Sequence, residues 1–347
     1  MAQKKADESA YIKLKKDLSE GTAECAYIFW GDERYLLEHY LGELRKRVLD
    51  GGMAEFNHRR FDGKTMSAES FTEAVDTLPV FAERTLVEVS DFDLFGCREE
   101  TKLAIKQVID TLPDYVCVVF IYDTLEFKPD GRVKINAEIK KNFSVVEFRR
   151  QEQSDLVNWI ARRFKAQDKS IDRPTAEYLA FVSGGLMTPL VGEIEKVSAY
   201  NTDRIITRES IDAVVTPVLD AVTYKLTDAI IQRRFDDAAD ILSDLLAMQE
   251  PPHKMIYSIS QKMRQLLAAK VCAESGKSYA RLMEMCGIKN DWAAKRLMSN
   301  AGGVSIGWCR EAVRKCSRTA LKMNSEGTDY GEMLCALLTE LASLGRD

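Results

Sequence analysis

Val-Cys-Val-Val-Phe-Ile-Tyr, residues 116–122, is apolar from end to end, the pattern of a strand covered on both faces and so of one in the middle of a parallel sheet. Outward from it, shorter apolar runs predict further strands at Ala26 to Trp30, Phe56 to Phe61, Thr85 to Val89 and Ser144 to Phe148. Between them lie segments of helical period, at Arg34 to Leu49, Ser67 to Leu78, Glu99 to Thr111 and roughly Ala137 to Asn142, each bounded by Gly, Pro or Asp. This alternation is the sequence form of a mainly parallel sheet wrapped by helices, and it fills residues 1–150.

After Arg149 and Arg150 the strand signal stops and the rest reads as helix. Ser154 is placed to cap a helix carrying Leu156, Trp159, Ile160 and Phe164, Asp172 with Pro174 opens another, and Thr188 with Pro189 starts a third whose Leu190, Val191, Ile194 and Val197 share one face. These predict a small helical domain over 151–216. Longer amphipathic helices, including Phe235 to Met248, Lys254 to Cys272, Ser305 to Met323 and Met333 to Leu344, predict a separate all-helical domain over 217–347.

At 347 residues the chain exceeds one typical core, and about 150 residues per domain suggests two or three. Its 46% hydrophobic and 30% charged composition is that of a globular protein, and a net charge of -5 argues against a wholesale basic nucleic-acid binder. No apolar run approaches the roughly 18 residues of a membrane span, and the polar start Met-Ala-Gln-Lys-Lys-Ala-Asp is not a secretion signal, so a cytoplasmic location is expected. The eight cysteines lack any Cys-x-x-Cys pair and read as reduced thiols, with no structural zinc.

A sheet followed by a small helical domain suggests a nucleotide-driven machine, so the turn after the first strand is where a phosphate loop belongs. It reads Trp30-Gly31-Asp32-Glu33-Arg34-Tyr35-Leu36-Leu37, without the second glycine or the Lys-Ser/Thr that hold phosphates and magnesium. Gly63-Lys64-Thr65 also lies between a strand and a helix, but His58 stands where the opening glycine belongs. Asp91 and Asp123 end strands as a magnesium-supporting aspartate would, and without a phosphate cradle they read as turn caps. His39, His58 and His253 have no metal spacing, and no nucleophile elbow occurs. No intrinsic catalysis, cofactor or metal is expected. Lys262, Arg264 and Lys270 form a candidate DNA-backbone contact, since Lys262 and Arg264 flank an apolar helix face without nearby carboxylates.

The junction Thr77-Leu78-Pro79-Val80-Phe81-Ala82-Glu83-Arg84-Thr85 carries a different signal. Phe71, Ala74, Val75 and Leu78 fall at i, i+3, i+4 and i+7, with Ser67 placed as the cap, and Pro79 ends the stripe. Leu78, Val80 and Phe81 then either tuck under the next strand as core or form an exposed apolar knob, the mark of a contact site. Glu83 and Arg84 predict wet surface beside it.

Several segments together resemble one family, the delta subunit of the bacterial DNA polymerase III clamp loader. They are Tyr27-Ile28-Phe29-Trp30-Gly31-Asp32-Glu33 with Tyr35-Leu36-Leu37, Phe61-Asp62-Gly63, the Thr77 to Val87 stretch, Glu193-Ile194-Glu195-Lys196-Val197, Glu250-Pro251-Pro252, the run from Arg264 to Lys270, and Cys286-Gly287-Ile288 with Lys295-Arg296-Leu297. The chain departs from the family's usual look at Ser183 to Thr188 and at Arg318-Thr319. The resemblance implies an AAA+-like α/β domain without nucleotide binding, then a small helical lid and an all-α collar. It implies that Leu78, Val80 and Phe81 dock in a hydrophobic pocket of the ring-shaped sliding clamp and help hold one interface open. It further implies a collar joined to ATPase loader subunits and a delta-prime subunit over primed DNA, with ATP hydrolysed by the partners. Two rivals stand beside it: an active ATPase using Gly63-Lys64-Thr65, and a stand-alone DNA-binding helical protein using Lys262, Arg264 and Lys270.

Overall fold

The computed structural model describes residues 2–49, 54–129, 139, 141–288, 291–325 and 329–345, which divide into two compact units, 1–151 and 152–347. In the first unit, strands β1 (Ala26–Trp30), β2 (His58–Asp62), β3 (Thr85–Ser90), β4 (Val116–Ile121) and β5 (Ser144–Glu147) form one parallel sheet in the order β2-β3-β4-β1-β5. β4 is the central strand and all six of its residues are buried. Side chains alternate across it. Val118 and Phe120 join Ile28, Val87 and Val89 under helices α3 (Ala68–Asp76) and α4 (Glu99–Asp110). Cys117, Val119 and Ile121 join Tyr27, Phe29 and Leu86 under α2 (Arg34–Val48). Both faces are covered, which is why this strand has no polar residue.

A further helix, α1 (Ala2–Ser19), precedes the sheet and was not anticipated. Its apolar anchors are few: Leu14 is buried in the core with Val146 and Phe148, and the Tyr11 ring meets Tyr40 and Phe148 edge-on at 5.5 and 5.8 Å. β2 begins at His58, because residues 54–57 form a 3-10 turn where the sequence predicts strand from Phe56. Of the helix predicted at Ala137 to Asn142, residues 139, 141 and 142 are described and are helical, and the rest lies outside the described residues.

The second unit contains α5 (Gln153–Lys165), α6 (Arg173–Val182), α7 (Met187–Tyr200), α8 (Arg208–Val214), α9 (Leu219–Ile231), α10 (Phe235–Ala247), α11 (Pro252–Glu274), α12 (Tyr279–Cys286), α13 (Asp291–Ala301), α14 (Ile306–Ser325) and α15 (Tyr330–Ala342). The expected cap at Asp172 is present, accepting from the Thr175 N–H at 2.8 Å, whereas Ser154 lies inside α5 and Glu152 occupies its N-cap position. Two corrections concern irregular backbone. Ser170–Ile171 and Ile205–Ile206 pair as short parallel strands, too short to show a period of two. Ser183-Gly184-Gly185 is a turn that ends α6, not helix, with both glycines at positive φ. Buried Trp308, Met263, Leu266 and Leu337 lie in the core shared by α11, α14 and α15. All eight cysteines are free, and Cys117, Cys272, Cys309 and Cys316 are buried.

Candidate functional site

The sequence predicts that α3 runs to Leu78, but it stops at Asp76. Ser67 caps its start together with Ser70, as expected of that serine. At the other end Thr77 turns extended, with ψ of 119°, while its N–H and hydroxyl still bond the Glu73 carbonyl at 3.1 and 2.6 Å. Pro79 explains the early stop, because its ring disfavours helical geometry at Leu78. Leu78 therefore leaves the buried stripe. It is 68% exposed, Val80 39% and Phe81 85%, so the three form a knob and not a tuck under β3.

The base of the knob is firmly held. The Asn57 side chain, 1% exposed, accepts from the Val80 N–H at 2.7 Å and donates to the Val80 carbonyl at 2.9 Å. Phe81 follows in the left-handed region at φ of 51°, which a bulky residue adopts only under constraint. Arg84 is not a wet surface cation: its guanidinium donates to the carbonyls of Ala23, Val116 and Glu24 at 2.9, 3.1 and 3.3 Å, fastening the starts of three strands. An apolar tip on a stiff base suits the capture of a complementary apolar pocket.

Beside this base lies a charged cluster that sequence reasoning missed. Glu88, on β3 and 4% exposed, accepts hydrogen bonds from Nε and Nη2 of Arg45 at 2.6 and 2.7 Å and sits 2.9 Å from the His58 imidazole. Burial alone would raise its carboxyl, but hydrogen bonds and charge from Arg45 and His58 overcome that and hold it at about 2. The available signal was a lone acid inside the apolar run Thr85 to Val89.

At the carboxyl ends of β1, β4 and β5 is a cavity of about 490 Å³ lined by Asp32, Asp123, Glu126, Glu147, Arg149 and Arg150 among others. Open parallel sheets commonly bind ligands at this end. Here the β1 to α2 turn is drawn onto β5. The Glu33 N–H donates to the Phe148 carbonyl at 2.9 Å, and Gly31, at φ of 127°, approaches so closely that a Cβ would overlap that oxygen. The cations are committed locally, Arg149 to Glu147, Arg150 to Asp32 and Arg34 to Asp123. Asp91 caps the turn after β4, accepting from the N–H groups of Asp123, Thr124 and Leu125 at 2.9, 3.0 and 2.9 Å.

Gly63-Lys64-Thr65 is likewise a closed turn. The Gly63 N–H bonds the Ser90 carbonyl, the Lys64 N–H bonds the Asp62 carboxylate at 2.9 Å, and the Thr65 N–H bonds the Asp62 carbonyl at 3.0 Å. These amides are turned inward, where a phosphate loop needs them pointing at the ligand.

The three basic residues of α11 have different surroundings. Lys262 lies at a cavity of about 270 Å³ with its ammonium 4.2 Å from the Tyr224 ring centroid. Burial pulls it down to about 8, opposed by the charge of Asp228, the carboxylate that helix periodicity alone had not revealed. Lys270 lies 3.6 Å from Glu274, and Arg264 is exposed. Among the described residues no cluster of His, Cys, Asp and Glu could hold a metal, and no helix is long and apolar enough to cross a membrane.

Residues 27–149 match the family model for DNA polymerase III, delta subunit, and residues 220–341 match that for the DNA polymerase III delta subunit, C-terminal domain. The chain is 27% identical over 267 residues to DNA polymerase III subunit delta of Bacillus subtilis (strain 168), covering 75% of this chain and 77% of the relative. It is 22% identical over 285 residues to the probable DNA polymerase III subunit delta of Aquifex aeolicus (strain VF5), covering 80% and 79%. In fold it is similar to the solved Bacillus subtilis DNA clamp loader delta protein, with a TM-score of 0.50 and 23% identity over 96% of this chain and 100% of the other. A sheet module and a helical carboxyl-terminal region each matched to the same subunit place this chain in the delta-subunit family of DNA polymerase III.

Proposed function

We propose that this chain binds the ring-shaped sliding clamp through Leu78, Val80 and Phe81 and favours the ring with one interface open, so that it can be loaded on primed DNA. The observation that carries this reading is an apolar knob, exposed at all three residues, whose base is pinned by buried hydrogen bonds. A fully buried Leu or Phe contributes roughly 1.5 to 3 kcal/mol, enough for two or three to anchor a complex after the cost of association. A knob breaks no bond; it can only bind one clamp shape better than another and so shift the ring towards it. Residues 151–216 would serve as the lid and 217–347 as the collar joining ATPase loader subunits and a delta-prime subunit, in the cytoplasm at the replisome, with ATP turned over by those partners.

The test is calorimetric titration of the full chain against the clamp encoded by the same organism. Leu78→Ala with Phe81→Ala is expected to weaken binding by at least about 2 kcal/mol, as loss of interface anchors does. Both side chains face solvent, so the variant should keep its melting temperature. Unchanged affinity in the folded double variant would refute the site.

A further inference from the structure

We infer that Asn57 is the positioning residue of the knob, holding Val80 and Phe81 in their binding shape before any clamp arrives. The inference rests on the knob being the clamp contact. Three observations carry it. First, the amide addresses both polar groups of one residue: Oδ1 accepts from the Val80 N–H at 2.7 Å while Nδ2 donates to the Val80 carbonyl at 2.9 Å. A carboxamide does this with one flat group, whereas a carboxylate only accepts and a hydroxyl is too small to span the pair. Second, Val80 stands between Pro79 and a Phe81 whose left-handed backbone is unfavourable for a bulky side chain. Left to itself the segment would relax, carrying the Phe81 ring with it.

Third, Asn57 is itself anchored. It ends the 3-10 turn Ala54–Asn57 and is followed by His58, the first residue of β2. The His58 imidazole meets Glu88 at 2.9 Å, and Glu88 receives Arg45 from α2. The amide thus extends from the sheet's edge strand, so that the knob inherits the rigidity of the sheet across 23 residues of sequence. A loop already in its bound geometry loses less freedom on binding.

The experiment compares the wild type with Asn57→Ala, Asn57→Asp and the Leu78→Ala, Phe81→Ala double variant, reading clamp affinity and the amide exchange of Val80 in the free protein. In Asn57→Ala the Val80 amide should exchange faster, and affinity should fall about fivefold to tenfold, the cost of ordering a few side chains on binding. Asn57→Asp should match Asn57→Ala at neutral pH, because a carboxylate repels the Val80 carbonyl. On acidification its neutral acid can accept from the N–H and donate to the carbonyl, so its affinity relative to wild type should recover. Groups common to every variant contribute equally and cancel in that ratio, and a general loss of packing would show no such recovery.

A folded Asn57→Ala that binds as wild type, or keeps its Val80 protection, overturns the inference while the knob stands, provided that the double variant has lost affinity. If the double variant also binds normally, the knob is not the contact and the inference falls with it. Should Asn57→Ala fail to fold, absence of acid recovery in Asn57→Asp overturns it.

Discussion

Glu88 shows how one residue can hold the knob's surroundings together at a cost that depends on pH. Its folded carboxyl titrates at about 2 against an ordinary 4.5, so the folded state favours the carboxylate. That stability is fully present above the ordinary value and is lost as pH falls from about 4.5 towards 2. The gap corresponds to about 3 kcal/mol. Glu88→Gln should therefore lower the urea midpoint of the first unit at pH 7, and the difference from wild type should shrink steadily below pH 4.5. A difference that stayed constant down to pH 2.5 would show that the Arg45 and His58 pairing does not supply the stability. Glu88 was legible only as an oddity, because nothing in Thr-Leu-Val-Glu-Val says that Arg45 and His58 arrive beside it from other elements.

Among the elements, those with strong periods were legible nearly to the residue. β1, β3 and β4 begin where the apolar runs begin, and α2 and α4 end within a residue of expectation. α1 was not legible, because a helix that rests on Tyr11 and Leu14 displays too few apolar positions to show a stripe. The end of α3 was misplaced because Pro79 acts on the residues before it, so Thr77 and Leu78 had already left the helix. The exposure of Leu78, Val80 and Phe81 was legible as one of two alternatives; the hydrogen bonds of Asn57 were not, since they join residues 23 apart. The β1 to α2 turn offers a test at this scale. Gly31→Ala would force a methyl into the Phe148 carbonyl at a φ that L-residues avoid, and should cost about 2 kcal/mol or more, read as a lowered melting temperature of the first unit. An unchanged melting temperature would mean that β5 is free to move away.

For the whole molecule, the absence of the G-x-x-x-x-G-K-[ST] pattern and the inward-turned amides of both candidate turns point the same way. Titrating magnesium ATP into the isolated chain should give no heat beyond dilution, and Lys64→Ala should change nothing. Micromolar binding abolished by Lys64→Ala would restore the ATPase rival. The DNA rival is weakened by position: Lys262, Arg264 and Lys270 were grouped as basic residues about an apolar helix face without nearby carboxylates, yet Lys262 sits at a cavity beside the Tyr224 ring and Lys270 beside Glu274. Sequence alone could not place the surrounding helices that make this so.

The strand order also sets a timetable for synthesis. β1 is made first but lies between β4 and β5, the last two strands of its sheet, pairing Ala26 with Val118 and Tyr27 with Ser144. At about 5–20 residues per second, the emerging chain waits on the order of ten seconds for those partners. Throughout that interval Tyr27, Ile28 and Phe29, wholly buried in the finished protein, have no neighbouring strand to pair with, so the innermost apolar run of the sheet is the one that stays exposed longest during synthesis.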